Sequence, residues 1–124
     1  MVQRRIHHLE TKRGEVYLVN FDPTIGSEIK KTRPALIIQN DVANRFSPVT
    51  IVAAISSYDG GSSYPTEVLV EAHHGGLNTQ SLVLLNQTRS IDKRRLIKKT
   101  GALPDALMIK IDRAIEISFG LISL

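Results

Sequence analysis

Cysteine and tryptophan are absent from this sequence of 124 residues, and aromatic residues make up only 5% of it. Without cysteine, the chain has no disulfide framework, no zinc–thiolate site and no thiol nucleophile. Long apolar runs are missing as well, since none approaches the roughly 20 residues that a membrane span needs. Residues 1–13 lack the apolar centre of a signal peptide. These absences predict a cytoplasmic protein with no membrane association.

Recognisable metal-binding and hydrolase motifs are missing too. The histidines form two adjacent pairs, His7–His8 and His73–His74. Neighbouring side chains of an extended chain point to opposite sides, so neither pair offers two ligands on one face. The sequence has no G-x-S-x-G, no glycine-rich phosphate loop and no H-E-x-x-H. We therefore expect no metal and no cofactor, and we expect the second histidine pair to be exposed in a glycine-containing connection.

The length of the chain predicts one domain, and its apolar pattern predicts the elements. Residues 1–12 are polar without periodicity, which predicts a flexible N-terminal arm before a single domain over residues 13–124. A helical turn is predicted near residues 42–44 and a short helix over residues 91–96. Closely spaced β-branched segments predict a mostly antiparallel sheet curled into a small barrel, with strands over residues 16–21, 34–40, 49–55, 66–70, 81–87 and 97–102.

The C-terminal segment has a helical period instead. Pro104 suits the first helical position and Gly120 suits the C-terminal cap. The pattern predicts an amphipathic helix that covers one face or end of the sheet, and the fold class is therefore α+β. The apolar stripe of this helix recurs every four residues at Leu103, Leu107, Ile111, Ile115 and Phe119.

Basic residues cluster in two places, within a formal net charge of +4. Lys30, Lys31 and Arg33 form the smaller group. The larger group is either a patch that contacts successive phosphates of a nucleic acid or a solvated charged face. This basic run consists of Arg89, Lys93, Arg94, Arg95, Lys98 and Lys99.

Arg33 stands directly before Pro34, at the start of a predicted strand. The residue before proline is held in an extended conformation, which fixes the direction of its side chain. A guanidinium held in this way suits bidentate contact with a phosphate or a carboxylate. The alternative is a salt bridge from Arg33 to Glu28 or Asp41.

Several ordered blocks of the sequence resemble the MazF/PemK toxin family, in particular its Gram-positive MazF branch. The resemblance covers residues 13–122, and several blocks at similar spacing are more specific than any single motif. These blocks are RGEVY at residues 13–17, GSE at 26–28, RPALIIQND at 33–41, NRFSP at 44–48, VAAI at 52–55 and LLNQTRSIDK at 84–93.

The resemblance implies a small SH3-like, CcdB-like antiparallel barrel that acts as a homodimer. It also implies a toxin of a type II toxin–antitoxin module. Such a toxin cleaves single-stranded RNA, mainly mRNA, at short sequences without a metal, and a MazE-like antitoxin blocks its RNA groove. The expected chemistry is attack by the ribose 2′-OH on the adjacent phosphate, which leaves a 2′,3′-cyclic phosphate and a 5′-OH.

The resemblance also implies roles for individual residues. Arg33 matches the arginine that contacts the scissile phosphate, and Ser56 stands where the family usually has a catalytic threonine. Glu28 matches an acid near the site, and Asn86 replaces an acid that is common in the family. Positions expected to contact RNA are Gly26, Ser27, Lys30, Lys31, Asn40, Asn86, Gln87 and Arg89.

Two other functions remain open from the sequence. One is a CcdB-like toxin that shares the fold and poisons DNA gyrase. The other is a basic RNA-binding module without catalysis, which the change from threonine to Ser56 would allow. The Arg33–Pro34 pair favours the RNA-cleaving branch over the first, and new RNA ends would distinguish it from the second.

Overall fold

A computed structural model describes residues 10–22, 26 and 31–124. In these residues the chain forms one six-stranded antiparallel sheet, with the strand order β4-β5-β3-β2-β1-β6. Short 3₁₀ turns lie at His74–Gly76 and Lys93–Arg95. The α-helices are α1 (Asp41–Phe46) and α2 (Asp105–Ser118), and the strands are β1 (Glu15–Asn20), β2 (Thr32–Ile37), β3 (Val49–Ser57), β4 (Glu67–Val70), β5 (Ser81–Asp92) and β6 (Leu96–Ala102).

The predicted α+β class, antiparallel sheet and C-terminal helix are confirmed. The sheet is barrel-like but not closed, because β4 and β6 remain as its two edges. Of the predicted N-terminal arm, residues 1–9 lie outside the described part, while Thr11 is buried. In the described part of the chain, no helix is long and apolar enough to cross a membrane.

One predicted strand has other bounds in the structure, and one predicted helix is absent. The strand predicted over residues 34–40 begins at Thr32 and ends at Ile37, because Asn40 caps α1 instead. The helix predicted over residues 91–96 does not form. Residues 91 and 92 belong to β5, and the Asp92 side chain accepts a hydrogen bond from the Arg94 N–H at 2.8 Å, which stabilises only a short turn before β6.

The two faces of the sheet carry separate apolar clusters, as alternation along the strands requires. One cluster, which includes Val16, Leu36 and Ala53, packs against Ile111 and Ala114 of α2. The cluster on the opposite face includes Tyr17, Val19, Phe21, Ala35, Ile37, Val52, Ala54, Ile91 and Leu96. This second face, called here the inner face, is the one that carries the candidate site.

Helix α2 ends as its sequence predicts, but its apolar stripe is shorter. The Gly120 N–H donates to the Ile117 carbonyl at 3.1 Å and the Leu121 N–H donates to the Glu116 carbonyl at 2.8 Å, with a φ of +73° at Gly120. This pair of bonds is the Schellman motif. Phe119 lies beyond the last helical residue and is 60% exposed, so its predicted place in the buried stripe was wrong.

A buried polar network holds α1 against the sheet. Asn44, 1% exposed, donates from Nδ2 to the Gln39 carbonyl at 2.9 Å. Its Oδ1 accepts from Thr50 Oγ1 at 2.8 Å and from Gln39 Nε2 at 3.1 Å. Lys93 is also buried and donates from Nζ to the Asn44 carbonyl. Burial lowers the pKa of Lys93, because it disfavours the charged form.

Candidate active site

Arg33 and Ser56 lie on the inner face at the same end of neighbouring strands. Ala35 of β2 pairs with Ala54 of β3 in the antiparallel ladder. The pairing of β2 with β3 ends at this pair, and Arg33 and Ser56 each lie two residues beyond it in their strands. Because side chains two residues apart share a face of the sheet, both side chains belong to the face of Ala35 and Ala54. Arg33 is exposed and Ser56 is half-buried, so this end of the face is accessible to a ligand.

The guanidinium of Arg33 forms no hydrogen bond or ion pair with the other described residues. Asp41, one of the two carboxylates that could have bound it, instead accepts from the Arg13 N–H at 2.7 Å and from Asn44 Nδ2 at 3.1 Å. These bonds, first of all the one from Arg13, lower the pKa of Asp41. The other carboxylate, Glu28, lies outside the described residues.

Strand pairing with β1 fixes the backbone at Arg33. Thr32 pairs with Asn20, Arg33 with Val19 and Pro34 with Leu18, all in register. The extended conformation that the proline predicts is therefore built into the ladder between β1 and β2. The side chain projects from a rigid strand, which is a better platform for a catalytic group than a loop.

Tyr17 lies on the same face and pairs with Ala35. It is 5% exposed, and its hydroxyl donates to Glu15 Oε1 at 3.4 Å. Burial, with a smaller effect of the Glu15 charge, raises the pKa of Tyr17 to about 12. Tyr17 is therefore neutral at physiological pH and does not serve as a general base there.

A bulge in β5 contains Asn86 and Gln87, the two amide side chains that were predicted to contact RNA. Ala54 pairs with Leu84, whereas Ala53 pairs with Thr88, so the register of this ladder shifts across residues 85–87. Asn86 is exposed and Gln87 is half-buried. Bulges of this kind redirect side chains and are frequent beside active sites.

The other predicted RNA-contacting positions are spread over the molecule. Lys31 is exposed at the base of the β1–β2 connection, with φ of +63°, and Gly26 is exposed within that connection. Asn40 is exposed, and its Oδ1 accepts the Ala43 N–H at 2.8 Å as the N-cap of α1. Ser27 and Lys30 lie outside the described residues.

Five of the six side chains in the basic run have partners among the described residues. Lys93 is buried, and Arg94 pairs with Asp92 at 2.9 Å. Lys99 pairs with Glu15 at 2.8 Å. The remaining two arginines, Arg89 and Arg95, donate hydrogen bonds to main-chain carbonyls of residues 20–22. No local sequence pattern indicates this last arrangement, because its partners are separated by about seventy positions.

Metal ligands are not grouped within residues 10–22, 26 and 31–124. No set of three or more histidine, aspartate or glutamate side chains in this part of the chain is placed to hold an ion. His73 and His74 are exposed, as predicted, and His74 begins a short 3₁₀ turn.

The site consists of an exposed arginine, a neighbouring hydroxyl and a bulge in β5. The sequence that forms it also matches a known protein family. Residues 12–119 match the family described as PemK-like, MazF-like toxin of type II toxin-antitoxin system. The chain belongs to this family. The match covers the whole sheet and all of α2, so both Arg33 and Ser56 lie inside it.

Curated relatives agree with the family match. Endoribonuclease EndoA of Bacillus subtilis is 47% identical over 90% of this chain and 96% of its own. Endoribonuclease MazF of Staphylococcus epidermidis is 44% identical over 89% and 92%. Both organisms are Gram-positive, as the resemblance implied. Both relatives are named endoribonucleases, which confirms the predicted enzyme class.

Solved structures support the same fold. A mycobacterial endoribonuclease in complex with its cognate antitoxin has a TM-score of 0.75 and 22% sequence identity, over 92% of this chain and 99% of that one. At this identity the likeness establishes the architecture, which is the six-stranded sheet with its C-terminal helix.

Proposed function

We propose that this protein cleaves single-stranded RNA, mRNA in particular, at short specific sequences and without a metal ion. The observation that carries the proposal is that Arg33 and Ser56 lie on one accessible face of neighbouring strands, each two residues beyond the Ala35–Ala54 pair. Two 44–47% identical endoribonucleases support the reaction class. The Arg33 guanidinium has no recorded partner among the described residues, which suits it to an anionic substrate.

The reaction requires little beyond the RNA and three positioned groups. The ribose 2′-OH gives its proton to a base and attacks the adjacent phosphorus. The bond between phosphorus and the 5′-oxygen breaks, and the 5′-oxygen takes a proton from water, so the products carry a 2′,3′-cyclic phosphate and a 5′-OH. Negative charge grows on the phosphate oxygens, where a fixed cation lowers the barrier most. Arg33 supplies that cation, and its pKa above about 12 makes it a stabiliser of charge rather than the acid.

The hydroxyl of Ser56 donates a hydrogen bond to the phosphate or accepts one from the 2′-OH. An unaided serine is a poor base, so alignment of the nucleophile is its main contribution. Glu28 is the carboxylate assigned to proton removal. Contacts along the RNA come from Gly26, Ser27, Lys30, Lys31, Asn40, Asn86 and Gln87.

The active form is a homodimer that a MazE-like antitoxin neutralises in the cytoplasm, and the complex of the two binds DNA. The mycobacterial endoribonuclease of the same fold, solved with its cognate antitoxin, supports this assignment. An antitoxin that covers the inner face would exclude RNA from Arg33 and Ser56.

Mapping of RNA ends in EDTA tests the proposal directly. Purified protein is incubated with a long single-stranded RNA, and the fragments are sequenced and their termini identified. We expect 5′-OH and 2′,3′-cyclic phosphate ends at a recurring short sequence, and no cleavage by Arg33→Ala. A requirement for added divalent metal would contradict the proposal, and so would near-normal cleavage by a folded Arg33→Ala protein.

A further inference from the structure

Two arginines hold the base of the connection between β1 and β2. Arg95 Nη1 donates to the carbonyl of Asn20 at 3.0 Å and to the carbonyl of Asp22. Arg89 Nη1 donates to the carbonyl of Phe21 at 3.0 Å, and its guanidinium lies 5.5 Å from the centre of the Phe21 ring. Three successive carbonyls at the end of β1 therefore each accept a hydrogen bond from a guanidinium.

The opposite side of the connection is tied to the same residues. The Phe21 N–H donates to the Lys31 carbonyl at 3.0 Å. The Lys31 N–H donates to Asp22 Oδ1 at 3.0 Å. These bonds extend the pairing of the two strands past its last ladder pair, and Lys31 is only two residues before Arg33. The position of the Arg33 backbone therefore depends on how firmly residues 20–22 are held.

Burial shows that this contact is part of the folded structure. Phe21 is 1% exposed within the inner-face cluster, while Arg89 and Arg95 are half-buried. A guanidinium stacked on a buried ring and bonded to a carbonyl is held by two interactions of fixed geometry. Its charge is shared with the main chain rather than presented on an open surface.

We propose that Arg89 and Arg95 are positioning residues. They fix residues 20–22 and thereby the orientation of Arg33 on the inner face. This inference rests on the proposed function of Arg33. It replaces the expectation that Arg89 contacts RNA, and it gives Arg95 a role that the sequence did not indicate. Neither arginine contacts the substrate in this account.

Hydrogen exchange tests the structural half without any RNA. In Arg95→Ala, we expect the amides of Phe21 and Lys31 to exchange at least about tenfold faster, because local opening exposes them. Arg94→Ala is a matched control, since Arg94 is the adjacent arginine, is exposed and, among the described residues, pairs only with Asp92. Equal exchange of these amides in the two variants would overturn the inference.

Kinetics test the functional half. In Arg89→Ala and Arg95→Ala we expect kcat to fall about 10- to 100-fold, because a small misplacement of a catalytic group costs rates of this order. Binding of a non-cleavable 2′-O-methyl RNA should keep its salt dependence. A lost phosphate contact would instead make the slope of log K against log salt shallower by about 0.7, and that result would overturn the inference.

Lysine substitutions distinguish geometry from charge and provide folded variants if an alanine variant unfolds. Arg95→Lys keeps the charge but loses the planar fork, so we expect its kcat to remain low, whereas full rescue would show that charge alone matters. The proposed function has its own test, which is that the wild type cleaves RNA and Arg33→Ala does not. If the wild type does not cut RNA, the proposed function fails, while the exchange result still decides whether the two arginines hold residues 20–22.

Discussion

Ser56 provides a hydroxyl at the end of β3 without the methyl group that threonine would add. A β-branched side chain has fewer χ1 rotamers, so threonine would hold its oxygen more firmly toward a phosphate opposite Arg33. Ser56 itself is half-buried. The residue thus keeps the chemistry expected of the site with less rotational restraint.

Substitutions at Ser56 should distinguish the effect of the hydroxyl on activity from the effect of a β-branch. Ser56→Ala should lower kcat about 10²-fold, as removal of one oriented hydrogen-bonding group does. Ser56→Thr should equal or exceed the wild type, since it keeps the oxygen and stiffens χ1. Cleavage rates of a short RNA under saturating conditions measure both. Ser57→Ala, at an exposed neighbouring position on the other face, is the control, and an equal loss there would contradict the assignment to Ser56.

Helix α1 is only six residues long, so its stability depends on contacts outside itself. Its N-cap bond from Asn40 and its buried Asn44 network supply those contacts. Asn44 connects the helix to Gln39, two residues after β2, and to Thr50 in β3. The helix thereby fixes the connection between the two strands that carry Arg33 and Ser56.

Replacement of Asn44 should therefore destabilise the protein more than replacement of Asn40. Asn44→Ala leaves several buried polar groups without partners and should cost about 3 kcal/mol. Asn40→Ala loses an exposed cap and should cost about 1 kcal/mol. Urea unfolding at equal protein concentration measures both against Asn78→Ala, an exposed control. A cost for Asn44→Ala no larger than that of the control would refute the importance of the network.

The glycines of the 3₁₀ turn at His74–Gly76 allow β6 to pack closely. A Cβ at Gly76 would overlap the carbonyl of Thr100, and Thr100 Oγ1 donates to the Gly75 carbonyl at 2.8 Å. Gly120 has nearly the same positive φ, +73° against +75°, but a Cβ there would meet nothing within 4 Å. The two positions separate backbone strain from steric overlap.

Alanine at these two glycines should give different losses of stability. Gly120→Ala places an alanine in the left-handed conformation without steric overlap, so it should lower the stability by about 1–2 kcal/mol. Gly76→Ala adds a clash with backbone atoms and should cost at least about 3 kcal/mol. Thermal unfolding followed by circular dichroism measures the difference. Equal costs would show that β6 can move away from the turn.

Local patterns predicted the elements whose residues repeat regularly. The four-residue period from Leu103 to Ile115 predicted α2, and the β-branched run at residues 49–55 predicted β3. The length of β5 was not predictable, because the bulge at residues 85–87 breaks its alternation. The sequence also placed Arg33 at the start of a strand, but it could not reveal which residues hold that strand.

The whole molecule responds to pH through groups that fold into different environments. Hydrogen bonds from Arg94 lower the pKa of Asp92 to about 2, and the Arg13 N–H lowers that of Asp41. Carboxylates with lowered pKa stabilise the fold above their ordinary value of 3.8, and this stabilisation is lost as pH falls below it. Lys93 has a lowered pKa, so in the range below its ordinary value of 10.5 its contribution to stability increases with pH.

At alkaline pH, Tyr17 should dominate the change in stability. Its pKa is raised from 10.0 to about 12 in the folded protein, mainly by burial. Between these values the unfolded chain has lost the phenolic proton and the folded chain keeps it, so stability falls as pH rises, by up to about 1.4 kcal/mol per pH unit. Urea unfolding of the wild type from pH 9 to 12 should show this fall, and Tyr17→Phe should flatten it. Tyr64→Phe, at a tyrosine that is 66% exposed, is the control and should keep the wild-type slope. An unchanged slope in Tyr17→Phe would mean that the buried phenol on the inner face does not account for the alkaline loss.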